Sequence, residues 1–430
     1  MIVTILLVLF LVLLALRMPA SIAMGVSCLV GLLLGDYPIS LIPRYMSGGV
    51  ESFPLMAVPF FILAGNIMNH SGITNRIFSF ANKVVGALPG GLAQVNVMAS
   101  MIFAGISGAA LADAAGLGTI EMKAMTDAGY RRRFSAAVTL ASSTIGPIIP
   151  PSIVMIIYAS EAQVSVARLF LAGVLPGILI GLILMSVIFW LAITGRESCP
   201  RTEWPGIGVV FKSFIQNIFA LMSPGIILWG MIGGVVTPTE AGVLAVFYSI
   251  LVGLFYREIT WIGIQKAIRE SVVSTCVVMF IISTATVMGW ILTSERVPHL
   301  LAEGLSSITS NKFITLLLLN LLILLLGCVL ETLPALLICT PVLLPVAQSV
   351  GIDPIHFGVI LCFNLIVGMI TPPMGIGLYV MVAVAKLRFE EITRASMPFL
   401  VVLLFALVII TFIPGLSLWL PDFLLGVQMQ

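Results

Sequence analysis

Two proline pairs punctuate the chain, Pro150-Pro151 and Pro372-Pro373, and each stands four residues after a glycine, Gly146 and Gly368. No other Pro-Pro pair occurs. Both pairs interrupt apolar runs, and both have hydroxyl or amide side chains nearby: Ser142, Ser143 and Ser152 at the first, Asn364 and Thr371 at the second. Proline has no N–H to give and breaks a helix. A broken helix leaves unpaired carbonyls at one end and unpaired N–H groups at the other. Glycine lets a neighbour or a ligand come close to the backbone. Such oxygens can replace the water shell of an ion inside a low-dielectric slab, and their hardness suits Na+ without a dedicated carboxylate.

A second set of candidates precedes each break. Gly105-Ile106-Ser107-Gly108 and Gly327 to Pro334 (GCVLETLP) read as the turns of two helical hairpins. Glu331, with Thr332 beside it, stands in an otherwise apolar stretch. A carboxylate at membrane depth is a functional candidate by default, as an ion ligand or an orienting group; the alternative is a cap on a helix N-terminus. Ser142 and Ser143 are equally readable as ligands or as small residues for helix packing. Asp113 is either a polar group of the first hairpin or the acid that starts its second helix. Glu240, in Thr237-Pro238-Thr239-Glu240, reads as a helix-start signal, and Arg131-Arg132-Arg133 as a topology signal.

One register connects these features. An offset of 222 residues takes Pro150 to Pro372, Gly146 to Gly368, Gly105 to Gly327 and Pro176 to Pro398. A set holding one register over more than 70 residues marks an internal repeat. The two copies differ in chemistry: serines line the first break, whereas Glu331, Asn364 and Thr371 accompany the second.

The elements that must carry these residues are membrane helices. Of 430 residues, 60% are hydrophobic and 9% charged, against about 25% charged in a soluble domain. Full spans read at roughly 2–16, 20–36, 52–69, 134–160, 166–195, 216–235, 239–256, 271–293, 355–385 and 396–420, and several approach the ~20 apolar residues that cross a bilayer. Segments 89–128 and 312–349 are too long for one span. Each suits two half-crossing helices joined at mid-membrane, a re-entrant hairpin. Segments 40–50, 73–86 and 295–308 read as interfacial amphipathic helices. The first apolar run lacks a basic start and leads into Arg17-Met18-Pro19, so it reads as a retained helix rather than a signal peptide.

The fold class expected is therefore an all-α polytopic membrane protein with two repeats, each holding a re-entrant hairpin and a broken helix. Lys/Arg placement orients them. Arg131–Arg133 and Lys123 follow the first hairpin, whereas Asp353-Pro354-Ile355 follows the second. Glu161 and Arg168 mark the loop at 159–168, whereas Lys386, Arg388 and Arg394 mark 386–394. Arg196, Arg201 and Lys212 lie in 196–212, and the tail after 420 has no basic residue. The halves are thus expected to lie upside-down relative to each other with both termini outside; Arg44 and Arg296 count mildly against this. A net charge of +2 gives no reason for a nucleic-acid partner. Six scattered cysteines and three distant histidines form no disulfide framework or zinc motif, and no nucleophile–base arrangement supports an enzyme. Inverted repeats with interrupted helices place their site near the midplane at the repeat interface, which makes a secondary transporter the leading reading.

The chain resembles the large membrane subunit of the tripartite ATP-independent periplasmic (TRAP) transporters. The likeness covers nearly the whole chain and is carried by GISGAALADAAGLGTIEMKAM, SSTIGPIIPPSIVMIIYA, RLFLAGVLPG, TPTEAGVLAV and NLIVGMITPPMGIGLYV. It implies an elevator-type transporter of the bacterial inner membrane, driven by more than one Na+ per substrate. It also implies a periplasmic substrate-binding protein and a small four-helix membrane subunit as partners; that subunit is expected as a separate chain, since no fusion precedes Met1. Carboxylates are the implied substrates, and the general look is similar to the sialic-acid branch. On this reading Ser107, Ser152, Thr332 and Asn364 are the candidate substrate contacts. The candidate Na+ ligands are Gly105, Ser107, Ser142, Ser143, Gly146, Gly327, Glu331, Thr332, Gly368 and Thr371. Residues 88–165 and 309–388 would form the moving domain, with 1–87, 166–308 and 389–430 as scaffold. The alternative is a stand-alone Na+- or H+-coupled dicarboxylate transporter of related fold that needs no binding protein; a channel is the remaining rival.

Overall fold

The computed structural model describes residues 2–107, 110, 114, 117–200, 203–309 and 311–426, and among these there is no strand. The first helices are α1 (Ile2–Ala15), α2 (Ala20–Leu34) and α3 (Leu41–Val50). Gly31 of α2 admits Leu6 of α1 against its backbone. Next come α4 (Ala57–His70) and α5 (Ile73–Val85). The latter is amphipathic, burying Ile73, Ile77, Ala81 and Val85 on one stripe.

The first hairpin is α6 (Leu92–Ser107) and α7 (Leu117–Asp127), followed by the broken pair α8 (Arg132–Ser142) and α9 (Ile153–Glu161). Then follow α10 (Val166–Ile193), α11 (Ile207–Leu221), α12 (Ser223–Ile232), α13 (Pro238–Phe255), α14 (Trp261–Ser294) and α15 (Val297–Ile308). The second hairpin is α16 (Lys312–Val329) and α17 (Thr332–Ser349). Its broken pair is α18 (Pro354–Met369) and α19 (Ile376–Ala385), and the chain closes with α20 (Phe389–Phe412) and α21 (Gly415–Leu425).

Each hairpin returns to its starting side. The Tyr130 hydroxyl accepts from Leu92 N at 2.9 Å and lies 3.0 Å from Gly90 O, so it ties the two ends of the first together. Lys312 Nζ donates to Gly351 O at 2.7 Å across the base of the second. The two bases lie at opposite ends of α10. Tyr130 also donates to Pro200 O (2.6 Å), just beyond the C-terminus of α10. By contrast, Gly351 and Asp353 share a cavity with Ser165 and Arg168 at its N-terminus. A helix of 28 residues separates these ends by about 42 Å at 1.5 Å per residue.

Burial places the broken helices at the centre. Every residue of α8 from Phe134 to Ser142 is buried, and so is every residue of α18 from Ile355 to Met369. Around them pack α6, α7, α10, α16, α17, α19 and α20. The helices α10 and α20, read above as scaffold, make their main contacts with these central elements and with α21. A second group, α1–α5 with α11–α15, meets the first along α14–α17, α4–α6 and α5–α6. Within it Tyr37 and Tyr45 bracket Trp290, with ring centroids 5.4 and 5.0 Å away.

Several sequence expectations are corrected. Seven helices among the described residues are long and apolar enough to cross a membrane, eight if α11–α12 is one span. Ten full crossings do not emerge, because α1 and α2 have 14 and 15 residues and the two broken segments are split. The second hairpin's arms are not half-crossing helices: each has 18 residues, about 27 Å. The span placed at 216–235 begins at Ile207 and bends by 54° after Leu221, where Pro224 opens a new helix. The span placed at 396–420 is α20 from Phe389, stopped before Pro414, with α21 separate. The arm helices α3, α5 and α15 stand where amphipathicity put them.

Candidate transport site

The two breaks form as the prolines dictate. In the first, α8 ends in a 3-10 turn at Ser143–Ile145, the chain passes Gly146 and Pro147, and α9 restarts after Ser152. Ser152 is the N-cap: its hydroxyl accepts from Met155 N at 3.2 Å and donates to Pro147 O at 2.6 Å. In the second, α18 ends at Met369 and α19 begins at Ile376. Thr371 turns its hydroxyl back to Val367 O at 2.8 Å. Both Pro-Pro bonds are cis.

Ser142, Ser143 and Thr144 are all buried. Ser143 donates to Leu140 O (2.9 Å) and Thr144 to Ala141 O (2.6 Å), which leaves hydroxyl lone pairs free to accept. Ser142 donates to Asn96 Oδ1 at 2.6 Å, and Asn96 Nδ2 donates to Thr139 Oγ1 at 2.8 Å. The second break has the same construction. Asn364 Nδ2 lies 2.8 Å from both the backbone and side-chain oxygens of Asn320, and Asn320 reaches Thr411 Oγ1 at 3.2 Å. In each half an asparagine on the first hairpin arm bonds the residue one helical turn before the break glycine. Asn364 is fully buried, and its Oδ1 finds no donor among the described residues. A buried amide oxygen left unmatched is costly and is the hard, neutral ligand an alkali cation takes.

Gly327 and Gly368 meet backbone to backbone. A Cβ on Gly368 would lie 2.6 Å from Gly327 C and 2.7 Å from its Cα; one on Gly327 would lie 3.0 Å from Leu365 O. Gly327 therefore lies within α16, and the hairpin turns later, at Leu330-Glu331. Gly105 likewise falls in the last turn of α6 rather than at the turn. Gly108, Asp113 and the Ser107 side chain lie outside the described residues.

Glu331 occupies the N-cap position of α17 but makes no side-chain capping bond, and it is half-buried beside half-buried Thr332. The two breaks also differ in accessibility: residues 142–152 are buried apart from half-buried Ile149, whereas Pro373 and Met374 are exposed. Glu240 is a capping residue, closing a box with Thr237 at 2.7 and 3.3 Å. Asn96, Asn320 and Thr411 are the site's unanticipated members. Asn320 is one of two polar residues in the run Phe313–Leu326, which is the signal that could have found it.

The family model described as "Tripartite ATP-independent periplasmic transporter, DctM component" matches residues 7–416. The Vibrio cholerae sialic acid TRAP transporter large permease SiaM is 42% identical over 390 residues, covering 90% of this chain and 91% of that one. The Pseudomonas aeruginosa C4-dicarboxylate TRAP transporter large permease DctM is 39% identical and covers 87% of each chain. Among solved structures, Neisseria gonorrhoeae MtrF, described with a class of antimetabolite efflux pumps, superposes with a TM-score of 0.64. Its identity is 13%, over 89% of this chain and 85% of that one, a likeness of fold alone.

Proposed function

The chain belongs to the DctM component family of the tripartite ATP-independent periplasmic transporters, and from that premise we propose that it carries an organic acid anion across the membrane at the expense of a Na+ gradient. As a large permease of this family it is a multi-span transporter component, not an enzyme, and it works with a small membrane subunit and a periplasmic binding protein. Sialic acid is the leading substrate candidate. SiaM of Vibrio cholerae and DctM of Pseudomonas aeruginosa, at 42% and 39% identity, share a carboxylate chemistry in their named substrates, and so similar a pair of identities supports the carboxylate class more strongly than either acid.

The observation that carries Na+ coupling is the matched pair of polar contacts, Asn96–Ser142 and Asn320–Asn364, each one turn before a helix break, with Asn364 Oδ1 buried and without a donor among the described residues. A cation there would be held by oxygens of Asn364 and the neighbouring backbone. The helix ends at the breaks offer N–H groups to a carboxylate. Hairpin bases at opposite ends of α10 support an inverted repeat, and the separation into a central and a peripheral group supports an elevator. The moving body would then include α10 and α20. The orientation that puts Arg131–Arg133, Arg196, Arg388 and Arg394 inside leaves both termini outside.

Two experiments test this. NaCl, but not KCl at equal ionic strength, should raise the melting temperature of the purified permease; equal effects of the two salts would count against a Na+ site. Ser52 and Ser160, whose hydroxyls lie 2.5 Å apart across the two groups, should block transport when joined as a cysteine pair and release it on reduction. Full transport in the joined state would contradict the moving-body reading.

A further inference from the structure

A cleft of about 830 Å3 opens where α8, the C-terminal end of α10 and α20 meet, away from the breaks. Four arginines converge on its rim: Arg133, Arg196, Arg388 and Arg394. Three carboxylates share that rim, and two are already engaged. Glu391 takes Arg388 Nη2 at 3.4 Å and Arg388 N at 3.1 Å, so it serves its own helix start. Glu197 pairs with Arg131 at 3.5 Å. Glu390 remains against Arg133, Arg196 and Arg394, a surplus of positive charge.

The floor of the cleft is of opposite character. Phe134 and Phe399 are buried there with ring centroids 6.2 Å apart, and Pro398 extends the apolar bed. Beside it the last turns of α10 expose Phe189, Trp190 and Ile193. Arg196 lies over the Trp190 ring at 4.5 Å. An exposed tryptophan at a helix end marks the bilayer–water boundary. The cleft thus has cations above, aromatic carbon below and a membrane-facing wall at the side. A small soluble anion would use the first of these alone.

We propose that this cleft holds the phosphate headgroup of an anionic phospholipid, with Arg133 and Arg394 taking the phosphodiester and Phe134 and Phe399 bedding the glycerol end. Basic pockets between membrane helices bind such headgroups. Because the cleft joins α8 to α20, the lipid would bridge the helix that enters the first break and the helix that follows the second.

The test uses the full chain, stripped of lipid in detergent and examined by native mass spectrometry with dioleoyl phosphatidylglycerol and dioleoyl phosphatidylcholine in competition. Phosphatidylglycerol should be retained preferentially, and millimolar inorganic phosphate should not displace it. Each arginine removed should weaken retention about five-fold, the effect of one basic residue at an anionic surface. The double variant Arg133→Gln/Arg394→Gln should therefore lose far more than a control pair outside the cleft, Arg257→Gln/Arg269→Gln. Arg133→Lys/Arg394→Lys should retain most of the binding. Equal retention of the two lipids by the unaltered chain overturns the proposal, and that comparison needs no variant to fold. Unchanged binding in the double glutamine variant, or displacement by phosphate, overturns it as well, the latter in favour of a soluble anion.

Discussion

Gly368→Ala puts one methyl group into the closest backbone contact at the second break. The added Cβ would stand 2.6 Å from Gly327 C, 2.7 Å from its Cα and 3.0 Å from Cys328 N. Carbon pairs rest at about 3.5–4.0 Å, so the overlap is roughly 1 Å, and all three atoms are backbone that cannot rotate aside. Relief requires α16 and α18 to part, which shifts Glu331, four residues beyond Gly327. Overpacking of this kind costs about 1–3 kcal/mol. Expressed at the ion-bound state, that is a 5- to 150-fold loss of apparent Na+ affinity, in the range of ~1.4 kcal/mol per tenfold. The assay is the Na+ dependence of substrate uptake by reconstituted vesicles, alongside melting temperature. Gly327→Ala should be milder, because its nearest contacts are 3.0, 3.1 and 3.2 Å. Gly208→Ala, with nothing within 4 Å, should be neutral. If Gly368→Ala matched Gly208→Ala, the claim that close approach of α16 and α18 shapes the site would be wrong.

Other consequences are as specific. Asn320→Leu strips Asn364 Nδ2 of its side-chain acceptor and should cost about 1–3 kcal/mol, the penalty of an unmatched buried donor, read as a fall in melting temperature with weakened Na+ dependence. Glu331→Ala should weaken Na+ dependence while the protein still folds, since the carboxylate makes no capping bond for α17 to lose; normal Na+ affinity would return Glu331 to a structural part. Tyr130→Phe removes the acceptor of Leu92 N and the donor to Pro200 O and should destabilise by about 1–3 kcal/mol. Burial pushes the Tyr130 phenol up to about 12, so the fold favours its neutral form. Its contribution is full below the ordinary tyrosine value of about 10 and is lost as pH rises through about 12. An ultraviolet difference titration should show one fewer late-titrating tyrosine in Tyr130→Phe than in the unaltered chain.

What could be read in the sequence was what glycine, proline and apolar periodicity mark. The breaks at Pro150-Pro151 and Pro372-Pro373 follow from residues whose backbone restrictions do not depend on the fold, whereas the arms α3, α5 and α15 follow from amphipathic periodicity and the existence of the hairpins from segments too long for one span. The bends at Ser223-Pro224 and Ile413-Pro414 carried the same signal inside apolar runs, where hydropathy alone read through them. The asparagine pairs were hidden for a different reason. Asn96 and Asn320 are 224 residues apart, two more than the register, so no fixed offset aligns them; helix packing does. The grouping of α10 and α20 with the breaks was not legible either, because a side chain facing lipid and one facing a neighbouring helix are equally apolar. Position relative to the break was readable, whereas partner was not.

On the mechanism proposed, the paired breaks couple an organic anion to Na+. Uptake of radiolabelled sialic acid should be measured in vesicles holding this permease and its small membrane subunit, with the periplasmic binding protein supplied outside. Accumulation against the substrate gradient under an inward Na+ gradient, and its loss when Na+ is replaced by K+, is the predicted result for a sialic acid permease; if sialic acid is not carried, C4-dicarboxylates take its place under the same design. Accumulation of the transported acid that is unchanged with K+ in place of Na+ would rule out Na+ coupling.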